Sequence, residues 1–436
     1  MREFDIDLTP YITKGITPNR QHIAQTPGLY DCKELLVAKD GLRVRPSIFG
    51  LASEFGSFSD YPSPLIFNNL SNVIVANGAG THVYDTEELI NADTALEIVD
   101  FTNFIAVNFD DSISEYTVVD GVITDITSGT PSYPNFTSIC GYNDAQAFGV
   151  LGKLLYWSKI GEFNFAIDDT NIAGNMTLPY PGEGLRVMQL GNHVVCYGDS
   201  GAFVMSPVQQ PSGAWRKVKL PQLNGIGLKS FYAVCDVGDA HLFIGNDDNL
   251  WKLTADLKLE NLGYDYLLEG IEEPNCIFNA MFGCVYISDS SICYLYTPQG
   301  LTRVQHYSRS LIPYYSDDYK VAGYPNVSTS YDKFEVITTP IDFKLRAVKH
   351  IQAIEVDVKS DSTVECAIDW RNNLKEDFRS TGWRRLNPAG VVQIPCSGVD
   401  FRIKLRGTVD SNFYIASLVA KIKYENKTTL RGKYAR

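Results

Sequence analysis

The residues best suited by type to carry out chemistry are acids in adjacent pairs: Asp110-Asp111, Asp168-Asp169, Asp247-Asp248 and Asp317-Asp318. A glycosidase would need two carboxylates converging across one mouth at a defined separation. A calcium loop would need the D-x-D-x-D-G pattern with a distal Glu, which none of the four has. Asp also favours turns, because its carboxylate bonds nearby backbone, and turns are what these pairs predict. The six histidines (His22, His82, His193, His241, His306, His350) are far apart. No Ser or Cys sits in a nucleophile motif, and Gly198-Asp199-Ser200-Gly201 is not a G-x-S-x-G elbow. The glycines form neither a P-loop nor a dinucleotide fingerprint. Nine cysteines (Cys32, Cys140, Cys196, Cys235, Cys276, Cys284, Cys293, Cys366, Cys396) lack C-x-x-C spacing. Several fall inside apolar runs, which predicts small buried residues in a reducing compartment rather than zinc ligands. The expectation is a protein that is not an enzyme and needs no cofactor and no metal.

The elements that must position these residues are short strands. His193–Met205 reads as an apolar run, a Gly-Asp-Ser-Gly turn and a second apolar run, the pattern of a β-hairpin. The unit recurs at 72–85, 103–118, 146–158, 240–254 and 283–297. First strands starting near Val73, Phe104, Ala147, Val194, Leu242 and Val285 are roughly 30 to 50 residues apart, the period of propeller blades. The repeat is one of pattern, with no WD dipeptide, kelch doublet or Asp-box. The competing architecture is a large β-sandwich with evenly spaced hairpins. From Ile341 the pattern changes to clean alternation: Ile354, Val356 and Val358; Val364, Cys366, Ile368 and Trp370; Phe401, Ile403 and Leu405; then Tyr414 to Tyr424. Strands half-buried in this way belong to an antiparallel sandwich. The predicted fold class is all-β: a β-propeller of about six blades plus an antiparallel β-sandwich platform. Residues 1–55, which hold the Asp40-Gly41 hairpin, are too few for a core of their own and should pair with the C-terminal platform. The blades are then 56–331, and the platform, with a basic tail, is 332–436.

Composition narrows the class further. A chain of 436 residues that is 44% hydrophobic and 12% aromatic is not disordered. No stretch approaches the ~18 consecutive apolar residues of a membrane helix, so no membrane insertion is expected. Met1 to Asp7 carries charges where a signal peptide would be apolar, so synthesis in a cytoplasm is expected. Residues 56–331 carry 12 Lys and Arg against 31 Asp and Glu, a net of −19, whereas 332–436 carry 19 against 13, a net of +6. A binder of nucleic acid clusters cations along phosphates, and the blades have the opposite sign. Such a wall would let DNA slide without sticking; equally, the acidity could serve solubility alone. The last 36 residues hold nine cations against Asp410 and Glu425. Arg402, Lys404, Arg406, Arg431, Lys433 and Arg436, with Arg43 and Arg45, are candidate docking residues for an acidic neighbour. A solvated sheet face whose lysines discourage aggregation is the plainer alternative.

Several segments carry a family resemblance. Asp40-Gly41-Leu42-Arg43-Val44-Arg45-Pro46, Thr339-Pro340-Ile341-Asp342-Phe343-Lys344 leading into Ile351 to Asp357, and Asp400-Phe401-Arg402-Ile403-Lys404 are the segments concerned. They resemble the opening and the terminal sandwich of tail nozzle, or tail-hub, proteins of short-tailed bacteriophages, also called packaged-DNA stabilisation proteins. The resemblance implies a homohexameric ring in the virion tail, below the portal and adaptor and beside tail fibres or needle proteins. DNA would pass down its lumen without sequence-specific binding. The competing function is a glycan-binding or glycan-hydrolysing propeller at a tail tip or cell surface, which exposed Trp and Tyr around one mouth would favour.

Overall fold

The computed structural model describes residues 2–18, 27–45, 48–50, 65–69, 72–77, 80–83, 89–91, 95–101, 104–109, 112–119, 122–127, 133–143, 145–167, 172–208, 215–280, 282–289, 292–305, 311–313, 321–323, 333–343, 348–359, 363–373, 375–410 and 412–424. The chain divides into two units. One comprises 48–292 and 306–328, and the other 1–47, 293–305 and 329–436. The helices among the described residues are two of four residues, Thr9–Ile12 and Asp265–Leu268, and one 3-10 turn, Pro221–Leu223. No helix there is long and apolar enough to cross a membrane.

The first unit is built from four-stranded antiparallel sheets. Blade 1 is Leu65–Asn69, Asn72–Asn77, Gly80–Val83 and Leu89–Asn91; blade 2 is Ala95–Asp100, Ile105–Phe109, Ile113–Val119 and Val122–Asp125. Blade 3 is Ser138–Tyr142, Gln146–Leu151, Leu154–Trp157 and Gly174–Thr177. Blade 4 is Gly184–Leu190, His193–Gly198, Ala202–Pro207 and Trp215–Lys219; blade 5 is Val234–Asp236, Ala240–Ile244, Leu250–Thr254 and Leu259–Gly263. Asn275–Asn279 with Cys284–Ser288 holds a sixth position, and Leu311–Pro313 and Val321–Gly323, joined in parallel by Ile48–Gly50, hold a seventh. Successive first strands are neighbours, from Leu65–Asn69 beside Ala95–Asp100 to Leu311–Pro313, which returns beside Leu65–Asn69. Between blades 4 and 5 the link is made by Arg186 Nη1, which donates to the Val234 carbonyl. A closed ring of such sheets is a β-propeller. The seventh position adds to the roughly six expected because its strands are only three residues long, too short to register as apolar runs.

The hairpins lie where the sequence pattern places them, but the strands read as first in each blade are second. Ile105–Phe109, Ala240–Ile244 and Cys284–Ser288 are buried at every position, because a neighbouring sheet covers each face. The true first strands, such as Ala95–Asp100 and Gly184–Leu190, interrupt their burial regularly and so carry polar residues. Packing is between blades. Phe148, Val150, Leu155, Val194, Cys196 and Phe203 form one core between blades 3 and 4, and Val195, Tyr197, Val204, Phe243 and Leu253 form the next. Each large apolar side chain so buried contributes about 1.5–3 kcal/mol.

The second unit is woven from both ends of the chain. One sheet runs Leu35–Ala38, Gly41–Val44, Tyr414–Tyr424, Lys349–Lys359 and Val391–Gly398, with Arg2–Asp7 also on Tyr414–Tyr424. The other places Leu29–Lys33 on Lys333–Thr338, that strand on Asp400–Thr408, and Asp400–Thr408 on Val364–Arg371. Buried rows, Ile351, Ile354 and Val356 in the first and Cys366, Ile368, Phe401, Ile403 and Leu405 in the second, line the interior. Phe334 packs on Phe413 with centroids 4.7 Å apart. The Asp40-Gly41 turn is fixed on the last strand: at φ 147°, Gly41 takes a backbone that favours glycine. A side chain there would overlap the Ile415 carbonyl oxygen.

Three details differ from the alternation read in the sequence. Register shifts between Asp357 and Val358, opposite Ala416, so Phe413 and Ile415 face inward before the bulge and Leu418, Ala420 and Ile422 after it. Cys293–Thr297 and Gly300–Val304 fall in the platform unit, where Ile16 donates to the Leu301 carbonyl, rather than in a 56–331 propeller. Ile48–Gly50 falls with the blades rather than with the N-terminal strands.

Candidate functional site

Of the four acid pairs, three lie outside the described residues and Asp247-Asp248 forms a turn. The Asp247 carboxylate accepts from the Asn249 amide at 3.3 Å and the Trp251 indole at 3.1 Å. Asp248, at φ 63°, pairs with Lys229 at 2.5 Å. The Asp247 carboxylate is occupied by the turn it builds and that of Asp248 by Lys229. No three His, Cys, Asp or Glu converge as metal ligands among the described residues. All nine cysteines are free thiols. Burial pushes Cys196, Cys276, Cys284 and Cys396 up to about 12. At neutral pH they are not thiolates, and the thiolate is the nucleophilic form. His193 Nδ1 meets Ser206 Oγ at 2.9 Å and His350 Nδ1 meets Ser397 Oγ at 2.6 Å, and these two histidines lie on separate units.

A polar chain that the sequence did not reveal runs across four blades. Glu97, on the first strand of blade 2, is buried, and burial raises its pKa. Its carboxylate accepts from Ser138 Oγ at 2.9 Å and the Ile139 amide at 2.7 Å, both on blade 3. Ser138 Oγ in turn accepts from the Val187 amide on blade 4 at 3.0 Å. Arg186, beside Val187, lies 3.5 Å from Glu97 and donates to the Phe231 and Val234 carbonyls at 3.2 and 3.4 Å. His241 on blade 5 completes the set. Its Nε2 meets the Gln189 carbonyl at 2.8 Å, and its Nδ1 meets the Tyr197 hydroxyl at 3.0 Å. A carbonyl only accepts, so Nε2 carries the proton and Nδ1 accepts from Tyr197. Burial lowers this histidine to about 4. The bonds of these groups run from one blade to the next, so the arrangement joins blades. The signal available in sequence was a lone acid or Arg inside a strand, without any indication of its partner.

The candidate docking residues fall into three groups. On Asp400–Thr408 the outward positions are Arg402, Lys404 and Arg406, facing carboxylates on Val364–Arg371. Arg406 meets Glu365 at 2.7 Å, Lys404 meets Asp369 at 2.8 Å, and Arg371 on the partner strand returns to Asp400 at 2.9 Å. Aromatic rings cover the same face: Trp383 lies under Arg406 and Lys404, with the guanidinium 4.2 Å from its centroid. Arg402 stacks between Tyr30 and Phe378 at 4.3 and 4.2 Å, where burial lowers its pKa. This row is largely neutralised within its own sheet. Arg43 is exposed, held by Asp40 at 2.6 Å and lying over Tyr414. Arg45 is not on the surface: it is 4% exposed and bonds Glu34, 6% exposed, at 2.6 Å. The strand ends at Val44, so Arg45 leaves the outward phase of Arg43. Arg431, Lys433 and Arg436 lie outside the described residues.

The blade tryptophans are engaged as well. Trp157 donates to the Ile172 carbonyl at 2.8 Å, Trp215 to Gln146 at 3.2 Å, and Trp251 to Asp247. Trp215 also stands edge-on to Phe148 and Tyr142.

No protein-family model matches this chain, and no curated protein sequence matches it. Among solved structures it is similar to Kluyveromyces lactis Hsv2 complete loop 6CD, at 11% identity and a TM-score of 0.34, over 62% of this chain and 86% of that one. That likeness concerns strand arrangement alone, and at this score it carries no argument about what the chain does.

Proposed function

We propose that this chain is a structural virion protein that forms the tail nozzle or hub ring of a short-tailed phage, a channel that retains DNA and releases it. The observation that carries the reading is the weave of the platform. The first strand, Arg2–Asp7, and the hairpin strand Gly41–Val44 both pair with the last, Tyr414–Tyr424. A blade unit of some 270 residues is inserted between them. Strands so far apart in sequence, locked into one sheet, suit a subunit that bears load. The buried Glu97, Ser138, Arg186 and His241 are engaged in joining sheets, which suits a passive wall better than an enzyme. The resemblance of the 40–46, 339–344, 351–357 and 400–404 segments to nozzle proteins points the same way. In this reading the duplex runs through a lumen shared by several copies, since the channel inside one propeller is filled or lined by inner strands and is too narrow for a double helix.

Native mass measurement and negative-stain microscopy of the purified protein test the reading. Closed rings, six copies by the family resemblance, are the expected result. A protein that stays monomeric across concentration and salt would overturn it. Turnover of a polysaccharide that vanishes on a single Asp→Asn change would favour the glycan-cleaving alternative.

A further inference from the structure

Lys404 and Arg406 meet carboxylates and Arg402 is half-buried between two rings, so among the described residues of the platform exposed positive charge collects at Arg379, Arg384 and Arg385. They lie on two short strands, Arg379–Ser380 and Arg384–Arg385, that pair with Val364–Arg371 at the edge of its sheet. All three residues are exposed, and among the described residues none has a carboxylate partner. Their contacts steady the stems without cancelling charge: Arg379 lies over Trp370, 5.3 Å from its centroid, and Arg384 donates to the Gln393 carbonyl at 2.8 Å.

The blade unit holds a counterpart between blade 5 and Asn275–Asn279. Asp265, Glu269, Glu272 and Glu273 are exposed, and among the described residues none has a cation partner. The segment is anchored: Leu268 and Ile271 are fully buried, and Lys229 Nζ donates to the Leu268 carbonyl at 3.1 Å. Its acids therefore project from a fixed frame.

We infer that these are the two halves of a head-to-tail contact, the arginine edge of one copy docking on the 265–273 segment of the next. The inference rests on the ring reading and names the surfaces that would close it. Two unlike patches on one chain make a heterologous contact, which closes into a ring when the rotation allows. A second copy fits better than nucleic acid. The chain itself supplies, on its other unit, an exposed carboxylate cluster of matching size and opposite charge.

The test uses two variants of the full chain, one with Arg379→Glu, Arg384→Glu and Arg385→Glu, the other with Asp265→Lys, Glu269→Lys, Glu272→Lys and Glu273→Lys. Sedimentation velocity at low salt should show rings for the parent protein. Each variant alone should need at least tenfold more protein to assemble. An equimolar mixture should assemble again, because each reversed patch then meets its complement on the other variant. Near-UV circular dichroism checks folding, and Arg→Gln and Glu→Gln versions serve if a reversal fails to fold. If the parent forms rings and both folded variants do so equally well, the contact is wrong and the ring stands. Folded variants that stay monomeric when mixed also overturn it. A parent that never assembles overturns both readings together. A duplex shifted by the parent and released by the arginine variant would assign the edge to nucleic acid instead.

Discussion

In the blade unit the Glu97 carboxylate is withdrawn from water and answered by donors from the next two blades. In the platform strand Asp400–Thr408 the charges stay at a sheet surface and meet their partners directly across a strand pair. The difference follows from coverage. Blade sheets have neighbours on both faces, so a charge there must bring its own hydrogen-bond partners or cost several kcal/mol in desolvation. Platform strands are covered on one face, so charges fall on alternating outward positions where solvent shares the cost. Arg45–Glu34 shows that the rule is about burial and not about which unit holds the pair, since this platform pair is as enclosed as any in the blades.

The largest effect should therefore come from Arg45. Arg45→Met leaves Glu34 buried with the Gln305 amide as its remaining charge-stabilising donor among the bonds described. Breaking a buried pair in this way costs about 3 to 5 kcal/mol, read as a fall in the denaturant midpoint at unchanged slope. Arg186→Met should cost nearly as much, about 3 kcal/mol, because it strips the cation from Glu97 and frees the Phe231 and Val234 carbonyls. An Arg45→Met protein with parental stability would mean that the pair is solvated and the contrast between buried and surface charge is wrong.

A pH experiment sharpens the blade side of the contrast. His241 is neutral when folded, at about 4, against an ordinary histidine near 6.5. The unfolded chain thus binds its proton first as pH falls, and stability drops from pH 6.5 towards 4 and then levels off. A shift of this size corresponds to about 3 kcal/mol. Glu97 works in the opposite direction: its raised pKa makes stability fall as pH rises above the ordinary glutamate value. His241→Gln should lose about 1 kcal/mol of hydrogen bonding at pH 7.5 yet flatten the slope between 6.5 and 4.5. Urea midpoints for both proteins across that range decide it, and parallel curves would remove His241 as the cause.

How much could be read in advance depended on the same coverage. Runs such as Val194-Val195-Cys196-Tyr197 and Leu242-Phe243-Ile244 were visible because strands covered on both faces are apolar throughout, which made the hairpins and their period legible. The first strands were not, because Glu97, Arg186 and Gln189 break the apolar pattern and look like loop residues until their partners are placed. Those partners lie 41 to 52 residues away, beyond any local signal. Alternation correctly set Arg402, Lys404 and Arg406 outward. Sequence could not give the register with Glu365 and Asp369, so paired cations read as free ones. The bulge at Ala416 left no mark either, since Ala and Ser are at home on both faces of a strand.

The smallest effect should come from that outward row. Arg406 has Glu365 at 2.7 Å and Trp383 at 4.2 Å, with 45% and 34% of the two charged side chains exposed. An exposed ion pair is worth about 0.2–1 kcal/mol and a cation over an exposed ring about 0.5–1 kcal/mol. Both are modest because water solvates the free partners nearly as well. Double-mutant cycles of Arg406→Ala with Glu365→Ala, and with Trp383→Ala, should each return a coupling below about 1 kcal/mol. The Glu365 coupling should shrink further in 1 M salt, where the screening length falls to about 3 Å. The Trp383 coupling should persist, because ring contact is partly dispersion and survives screening. Lys404 offers a graded comparison: its Asp369 partner is only 17% exposed. Lys404→Ala should cost more than Arg406→Ala despite the shorter list of donors on lysine. If Arg406 proved the costlier of the two, burial would not be what sets the worth of a charge in this protein.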